Sequence, residues 1–257
     1  MGDWWQELDG AAGVVNLAGR SINCRPTPEN LRSILQTRVD SIRALSEACR
    51  RCQKPPPVWV QPSALAIYAD QGSEPLLETA PWGSDTLALI CREWEAAMRS
   101  ELPTGMRSVL LRIGIVLGRS GGAYPTLRRI VRWGLGGSAG SGRQYVSWIH
   151  ELDMAGLVET CLFESRFEGA YNACTPGAVT NRDLMRALRA ACHRPWSPPA
   201  PSAAIRVGAW LLGSNPELVL TGRRGYPKRL LDSGFIFQWP ELSRAVSALE
   251  NESLTTQ

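Results

Sequence analysis

Three stretches of this 257-residue chain combine residue types and spacings that could do chemistry. The first is Trp148-Ile149-His150-Glu151-Leu152-Asp153, a strand end running into a helix start. There His150 could face a cleft as an acid or base. The alternative is structural, with Asp153 capping the helix and His150 satisfying a backbone group. The second is Cys49-Arg50-Arg51-Cys52, whose two thiols have the spacing of a redox or zinc pair. It falls at the end of a helical run rather than between a strand and a helix, and no second pair completes a zinc site, so an incidental pair is expected. The third is "GLGGSAGSG" at 134–142, glycine-rich like a phosphate cradle. It follows a helix and precedes a strand, the reverse of the context a dinucleotide loop needs.

The totals narrow the function classes. Two histidines, His150 and His193, exclude a histidine-rich metal site, and no metal is expected. Seven cysteines, odd in number and evenly spread, fit reduced thiols in a cytoplasmic protein. The opening "MGDWWQELDG" is acidic and carries no apolar signal core. No apolar run approaches the ~20 residues of a membrane span. The net charge of +4 comes largely from arginine, since Lys54 and Lys228 are the two lysines among 28 basic residues. Those arginines are scattered through helical segments rather than gathered on a stripe, which argues against a nucleic-acid surface. The ten tryptophans are dispersed as well, as packing residues are and a base-stacking platform is not.

The elements that must position any site read as alternating strands and helices. "GVVNLAG" (13–19) is an apolar strand running into a glycine turn. Thr27 with Pro28 behind it starts a helix of at least five turns, with apolar residues at Leu31, Ile34, Leu35, Ile42, Leu45 and Ala48, and Pro55-Pro56-Pro57 stops it. "VWVQPSALAIY" is the next strand, "DTLALICREWEAAMRS" a helix, and "RSVLLRIGIVLG" a nearly continuous apolar strand. A short helix in "TLRRIVRW", a strand in "RQYVSWIH", a helix in "MAGLVETCLFES" and a strand in "GAYNAC" follow. This alternation predicts parallel βαβ units. From about Pro176 the texture changes: Thr180 or Asn181 caps a helix, a proline-rich connector follows, and the rest is mostly helical with a polar tail. The expected organisation is therefore a domain over 1–175 and a smaller helical domain over 176–257.

One element raises a question. A parallel strand apolar on both faces needs a neighbour on each side or becomes an open sheet edge. Twelve residues precede Gly13, whereas a βαβ unit takes about 30. The expectation is an incomplete sheet whose first portion this chain does not encode; the alternative is a natural edge strand.

"VVNLAGRSINCR", "RSVLLRIGIVLGRSGGA", "GLGGSAGSGRQYVSWIHELDMAG" and "PKRLLDSGFIFQWPEL" together resemble the sugar-epimerase-like branch of the extended short-chain dehydrogenase/reductases. Within it they are most similar to the subgroup ending in a small uncharacterised helical domain, some members of which are labelled cell-division inhibitors. The resemblance implies an α/β, Rossmann-like parallel sheet with helices on both faces, and binding of NADP or NAD with a small-molecule substrate. It implies that Asn16, Leu17, Ala18 and Gly19 lie under the cofactor. Arg20 and Arg25 would stand near its ribose or phosphates, and Ile115 and Val116 would flank the nicotinamide end. It also implies a G-x-x-G-x-x-G loop, which no part of this chain supplies, so weak or absent cofactor binding is expected.

The family's catalytic residues are a Ser/Thr and a Tyr-x-x-x-Lys pair. With Glu95 as the landmark, Leu87 and Cys91 stand at the Tyr and Lys positions, and Ala64 at the Ser/Thr position. Neither Leu87 nor Cys91 moves a proton as that chemistry requires. The catalytic residues are left open, with Ser63, Tyr68 and His150 as candidates. Two functions follow: an oxidoreductase or epimerase-like protein impaired in catalysis, or a non-catalytic regulatory protein linked to cell division. The second would meet a protein partner on an exposed sheet edge or on the C-terminal domain, or another copy of itself through that edge.

Overall fold

A computed structural model describes residues 3–251; the chain's first two residues and the polar tail after Asn251 lie outside the described residues. A short 3-10 turn at Asp3–Leu8 leads into strand β1 (Val14–Val15). At Gly13 a Cβ would stand 2.6 Å from Leu162 Cδ2 and 2.8 Å from Val58 Cγ1, so any side chain there would force those two to shift. Helix α1 (Pro28–Arg51) begins as its sequence predicts, with the Thr27 side chain accepting a hydrogen bond from the Asn30 amide and proline in the first turn. Strand β2 (Val58–Ala64), helix α2 (Thr86–Glu101) and strand β3 (Arg107–Ile113) follow. These pair in parallel with β7 (Gly169–Ala173) in the order β1-β2-β3-β7.

Side chains alternate across this sheet. Val14, Trp59 and Leu110 face α1 and α2, packing on Ile42, Trp94 and Met98. Val58, Val60, Val109 and Leu111 face the other way, onto Leu157 and Cys161 of helix α4 (Glu151–Phe163). Helices thus cover both faces, the Rossmann-like arrangement. Among the described residues β1 has a strand neighbour on one side, β2, and its other side is a sheet edge.

Two runs read as single strands are each split. "RSVLLRIGIVLG" breaks at Gly114, after which β4 (Ile115–Leu117) leaves the main sheet and pairs in parallel with β6 (Trp148–His150). A side chain at Gly114 would stand 2.5 Å from the Ser147 carbonyl oxygen, so glycine lets the two segments approach. "RQYVSWIH" breaks at Ser147, and β5 (Tyr145–Val146) pairs antiparallel with β8 (Val179–Thr180). Hydrophobicity gives no sign of either break, because apolar residues stand on both sides of Gly114 and of Ser147.

The remaining elements are α3 (Tyr124–Arg132), α5 (Asn181–Ala191, capped by Thr180), α6 (Ser202–Leu212), α7 (Glu217–Leu220), α8 (Lys228–Asp232) and α9 (Leu242–Asn251). A second core joins Tyr124 and Val131 of α3 and Trp148 of β6 to Leu184 and Leu188 of α5 and Val246 and Leu249 of α9. It draws on residues from both sides of position 175. The glycine-rich loop 134–142 is spent on packing: a Cβ on Gly137 would overlap the Pro198 carbonyl oxygen of the proline-rich connector.

Candidate active site

The carboxyl ends of β1, β2 and β3 form one rim of the sheet, where open α/β folds place their ligands. At β1 the chain leaves through Asn16, which is 2% exposed. Its Nδ2 donates to Ser41 Oγ of α1 at 3.1 Å and to Gln61 Oε1 of β2 at 3.2 Å, while its Oδ1 accepts the Ala18 amide at 3.2 Å. Asn16 therefore fixes the turn that presents Leu17, Ala18 and Gly19, all exposed; Leu17 is 74% exposed despite its apolar side chain. Two strands away, Ile115 and Val116 are half-buried in β4, Val116 against the central core and Ile115 against the second core.

Arg20 and Arg25 are exposed and held by single side-chain hydrogen bonds. Arg20 Nη2 donates to Asn30 Oδ1 at 2.7 Å, and Arg25 Nη2 donates to the Trp210 carbonyl of α6 at 3.0 Å, its guanidinium over that indole ring. A third arginine, Arg38 of α1, was not legible as a site residue from the resemblance but stands against the turn. A Cβ on Gly19 would lie 3.0 Å from Arg38 Cγ and 3.2 Å from its Cζ. The signal was in the spacing: Arg38 sits four residues from each of Ile34 and Ile42, a charge on the buried stripe of α1.

Across the rim runs a row of buried polar residues. Arg112 of β3 is flanked in register by Ser63 of β2 and Asn172 of β7. Glu95 of α2 reaches down onto it: Arg112 Nε donates to Oε1 at 2.9 Å and Nη2 to Oε2 at 3.0 Å, and Ser63 Oγ donates to Oε1 at 2.8 Å. Arg112 Nη1 donates to Tyr68 Oη at 2.7 Å, which donates in turn to Asn172 Oδ1 at 2.7 Å. Burial alone would raise the Glu95 pKa, but the hydrogen bonds and charge of Arg112, with Ser63 and Arg99, hold it below the usual carboxylate range.

Ser63 and Tyr68 are brought together in this row, and both are committed to it. Tyr68 is fully buried, and burial pushes its phenol up to about 12 even with Arg112 beside it. His150 stands elsewhere, 3% exposed and stacked on Trp239 with ring centroids 4.8 Å apart. Its Nδ1 accepts the Leu152 amide at 3.2 Å, so His150 is the cap of α4. Asp153, expected as that cap, lies in the first turn instead. Its carboxylate accepts the backbone amides of Gln238 at 2.8 Å and Trp239 at 3.0 Å, tying α4 to the C-terminal segment.

On α2, Leu87 is half-buried and Cys91 is buried. Burial drives the Cys91 thiol up to about 12, with Glu95 raising it further and Arg38 opposing. The two positions give the rim no group that titrates near neutrality. Cys49 and Cys52 are unpaired thiols at the end of α1, and among the described residues no cluster of His, Cys, Asp and Glu could hold a metal ion. Nor is any described helix long and apolar enough to cross a membrane. The rim fits a nucleotide in part: exposed backbone at Ala18 and Gly19, cations around it and an apolar flank at Ile115 and Val116, with no proton-moving pair.

Comparison with known proteins agrees with this architecture. The family model described as "Domain of unknown function (DUF1731)" matches residues 200–249, which hold α6 to α8 and most of α9. The mouse protein named epimerase family protein SDR39U1 is 35% identical over 239 residues, covering 91% of this chain and 80% of its own length. The crystal structure of human epimerase family protein SDR39U1 (isoform 2) with NADPH superposes with a TM-score of 0.87 at 31% identity, covering 94% of this chain and 82% of that one. A nucleoside-diphosphate sugar epimerase from Corynebacterium glutamicum gives a TM-score of 0.75 at 28% identity, over 95% of this chain and 46% of that chain. With the parallel sheet, its rim and the C-terminal helices all accounted for, the chain belongs to the epimerase family of the extended short-chain dehydrogenase/reductases.

Proposed function

We propose that this chain is an NAD(P)-binding, epimerase-like protein whose site orients a nicotinamide cofactor but lacks the groups to turn over a substrate. The cofactor is NADP or NAD. Asn16, Leu17, Ala18 and Gly19 lie along it, Arg20 and Arg25 serve its ribose or phosphates, and Ile115 and Val116 flank the nicotinamide. Position supports the binding half of this reading, since these residues share the carboxyl rim of a parallel sheet. The human relative solved with NADPH supports it independently. When bound, a nicotinamide supplies hydride transfer. This chain's residues hold and orient it, and a proton donor or acceptor is what they do not provide.

The observation that carries the catalytic half is the pair Leu87 and Cys91, an apolar side chain and a buried thiol where the family's chemistry uses tyrosine and lysine. Ser63 and Tyr68 are tied into the Arg112 row, and His150 caps α4, so none replaces that pair. Weak affinity belongs to the same proposal, because the glycine-rich stretch 134–142 is packed at Gly137 against the Pro198 carbonyl rather than open to a pyrophosphate. The unpaired cysteines support a reducing, cytoplasmic setting.

NADPH fluorescence titration with a parallel assay of NADPH oxidation tests the proposal. The expected result is a Kd of about 0.1 mM or weaker, some −5.5 kcal/mol, and no oxidation. Micromolar affinity or turnover would contradict the impaired site, and no response at millimolar NADPH would contradict cofactor binding.

A further inference from the structure

We propose that the proline-rich connector at 195–201 is a docking strip, and that its partner is a protein domain whose aromatic-lined groove takes a polyproline helix. The inference is independent of the cofactor reading. It starts from the sequence "PWSPPAP", four prolines in seven residues. Each proline ring fixes φ near about −65°, and a residue that precedes proline is held out of the helical region. Those two restrictions cover every position of the strip except Trp196. The structure follows them. No helix or turn interrupts 194–199, and Pro201 stands at φ −57° and ψ 147°, in the polyproline region.

A polyproline helix has three residues per turn, so every third side chain shares an edge. Ser197, 6% exposed, and half-buried Ala200 form the inner edge. That edge is fastened to the glycine-rich loop: the Ala200 amide donates to the Ser138 carbonyl at 2.9 Å, and the Ala200 carbonyl accepts the Gly140 amide at 2.8 Å. The absence of a side chain at Gly137 lets the Pro198 carbonyl settle on that loop. The two outer edges carry Pro195, Pro198 and Pro201 on one and Trp196 and Pro199 on the other, all exposed, with Trp196 at 71%.

This arrangement selects the kind of partner. Four of the seven residues lack an N–H, so the strip is no template for an added β-strand. What it offers is carbonyl acceptors between two ridges of proline and indole. A groove lined with aromatic rings, whose phenol and indole groups donate hydrogen bonds, matches both features. Because the fold already holds the strip extended, binding orders little chain. The other proline run, Pro55-Pro56-Pro57, is not equivalent. Pro56 is buried, and the Pro57 carbonyl accepts the Arg107 amide at 3.0 Å, so the fold consumes that run.

The test titrates a panel of isotope-labelled SH3 and WW domains with the full chain, comparing wild type with Trp196→Ala, Pro198→Ala and Pro55→Ala. At least one domain is expected to bind wild type with a Kd of about 1 mM or tighter, with amide shifts at its aromatic groove. Trp196→Ala and Pro198→Ala should each weaken binding about 10-fold or abolish the shifts, and Pro55→Ala should change it less than about 2-fold. Trp196 is exposed, so its variant should share the wild-type thermal midpoint, which separates lost docking from lost folding. Silence of the whole panel at about 1 mM chain, or binding that survives both Trp196→Ala and Pro198→Ala, would overturn the inference. So would sedimentation showing wild-type self-association that Trp196→Ala abolishes, since the strip would then serve a second copy of this chain.

Discussion

Glu95 on α2 and Arg112 on β3 meet in a two-point ion pair, at 2.9 and 3.0 Å, with the carboxylate side chain fully buried and the guanidinium side chain 5% exposed. The pair clamps the helix that follows β2 to the strand beside it, and its position under the rim sets the floor of the candidate site. Removing one partner leaves the other charged and dry. Glu95→Ala is therefore expected to cost about 3–5 kcal/mol in urea unfolding, and Glu95→Gln somewhat less. A loss under 1 kcal/mol for Glu95→Ala would contradict the clamp.

The same pair gives a pH dependence whose direction is fixed. Folding lowers the Glu95 pKa from its ordinary value of 4.5. Its contribution is fully present above that unfolded value and is lost as pH falls through the lower, folded one. Thermal unfolding followed from pH 7 to pH 3 should show wild type losing stability below about 4.5, with Glu95→Gln losing less over the same window. Parallel curves for the two proteins would count against the assignment.

Tyr68 is expected to behave as a structural residue. Its hydroxyl bridges Arg112 and Asn172, and it is fully buried. Tyr68→Phe should lower stability by about 1–3 kcal/mol, the cost of leaving buried partners unsatisfied, while any NADPH affinity changes less than about 2-fold. A variant with unchanged stability but lost ligand binding would return Tyr68 to the site.

Asp153 joins α4 to the chain at Gln238 and Trp239. Asp153→Ala strands both amides, and a loss of about 2–4 kcal/mol is expected. Limited proteolysis should show the segment around residues 233–241 cut faster in the variant. Identical cleavage patterns would mean the carboxylate does not hold that segment in place.

Thiol reactivity probes the cores. Cys49, Cys91, Cys161 and Cys174 are buried, while Cys24, Cys52 and Cys192 are partly exposed. Burial pushes Cys49 to about 11 and both Cys91 and Cys161 to about 12. At pH 8 a disulfide reagent should label no more than the three partly exposed thiols of the folded protein, and all seven in denaturant. Fast labelling of Cys91 in the folded protein would contradict its placement.

How far the sequence revealed this molecule depends on the range of each interaction. Thr27 and Pro28 starting α1, and the continuous apolar runs at 58–60 and 109–111, are local signals, and they produced the parallel sheet with helices on both faces. The breaks at Gly114 and Ser147 were hidden because apolar residues flank each of them, and periodicity does not report which sheet a strand joins. Asp153 was read as a cap because its partners lie 85 and 86 residues away. Ser63 and Tyr68 looked available for the same reason: Glu95, Arg112 and Asn172, which claim them, come from three other elements. Arg38 could have been found from the sequence, since a charge at i+4 within an apolar stripe is visible there.

The central claim, that the rim from Asn16 to Gly19 and at Ile115 and Val116 receives a nicotinamide cofactor, is tested most directly by mapping where the cofactor lands. Backbone amide shifts of the isotope-labelled chain, recorded as NADPH is added to millimolar concentration, should move at residues 16–20, 25, 38 and 113–116 and stay still at α4 and α9. Shifts confined to other surfaces, or none at all, would contradict the account.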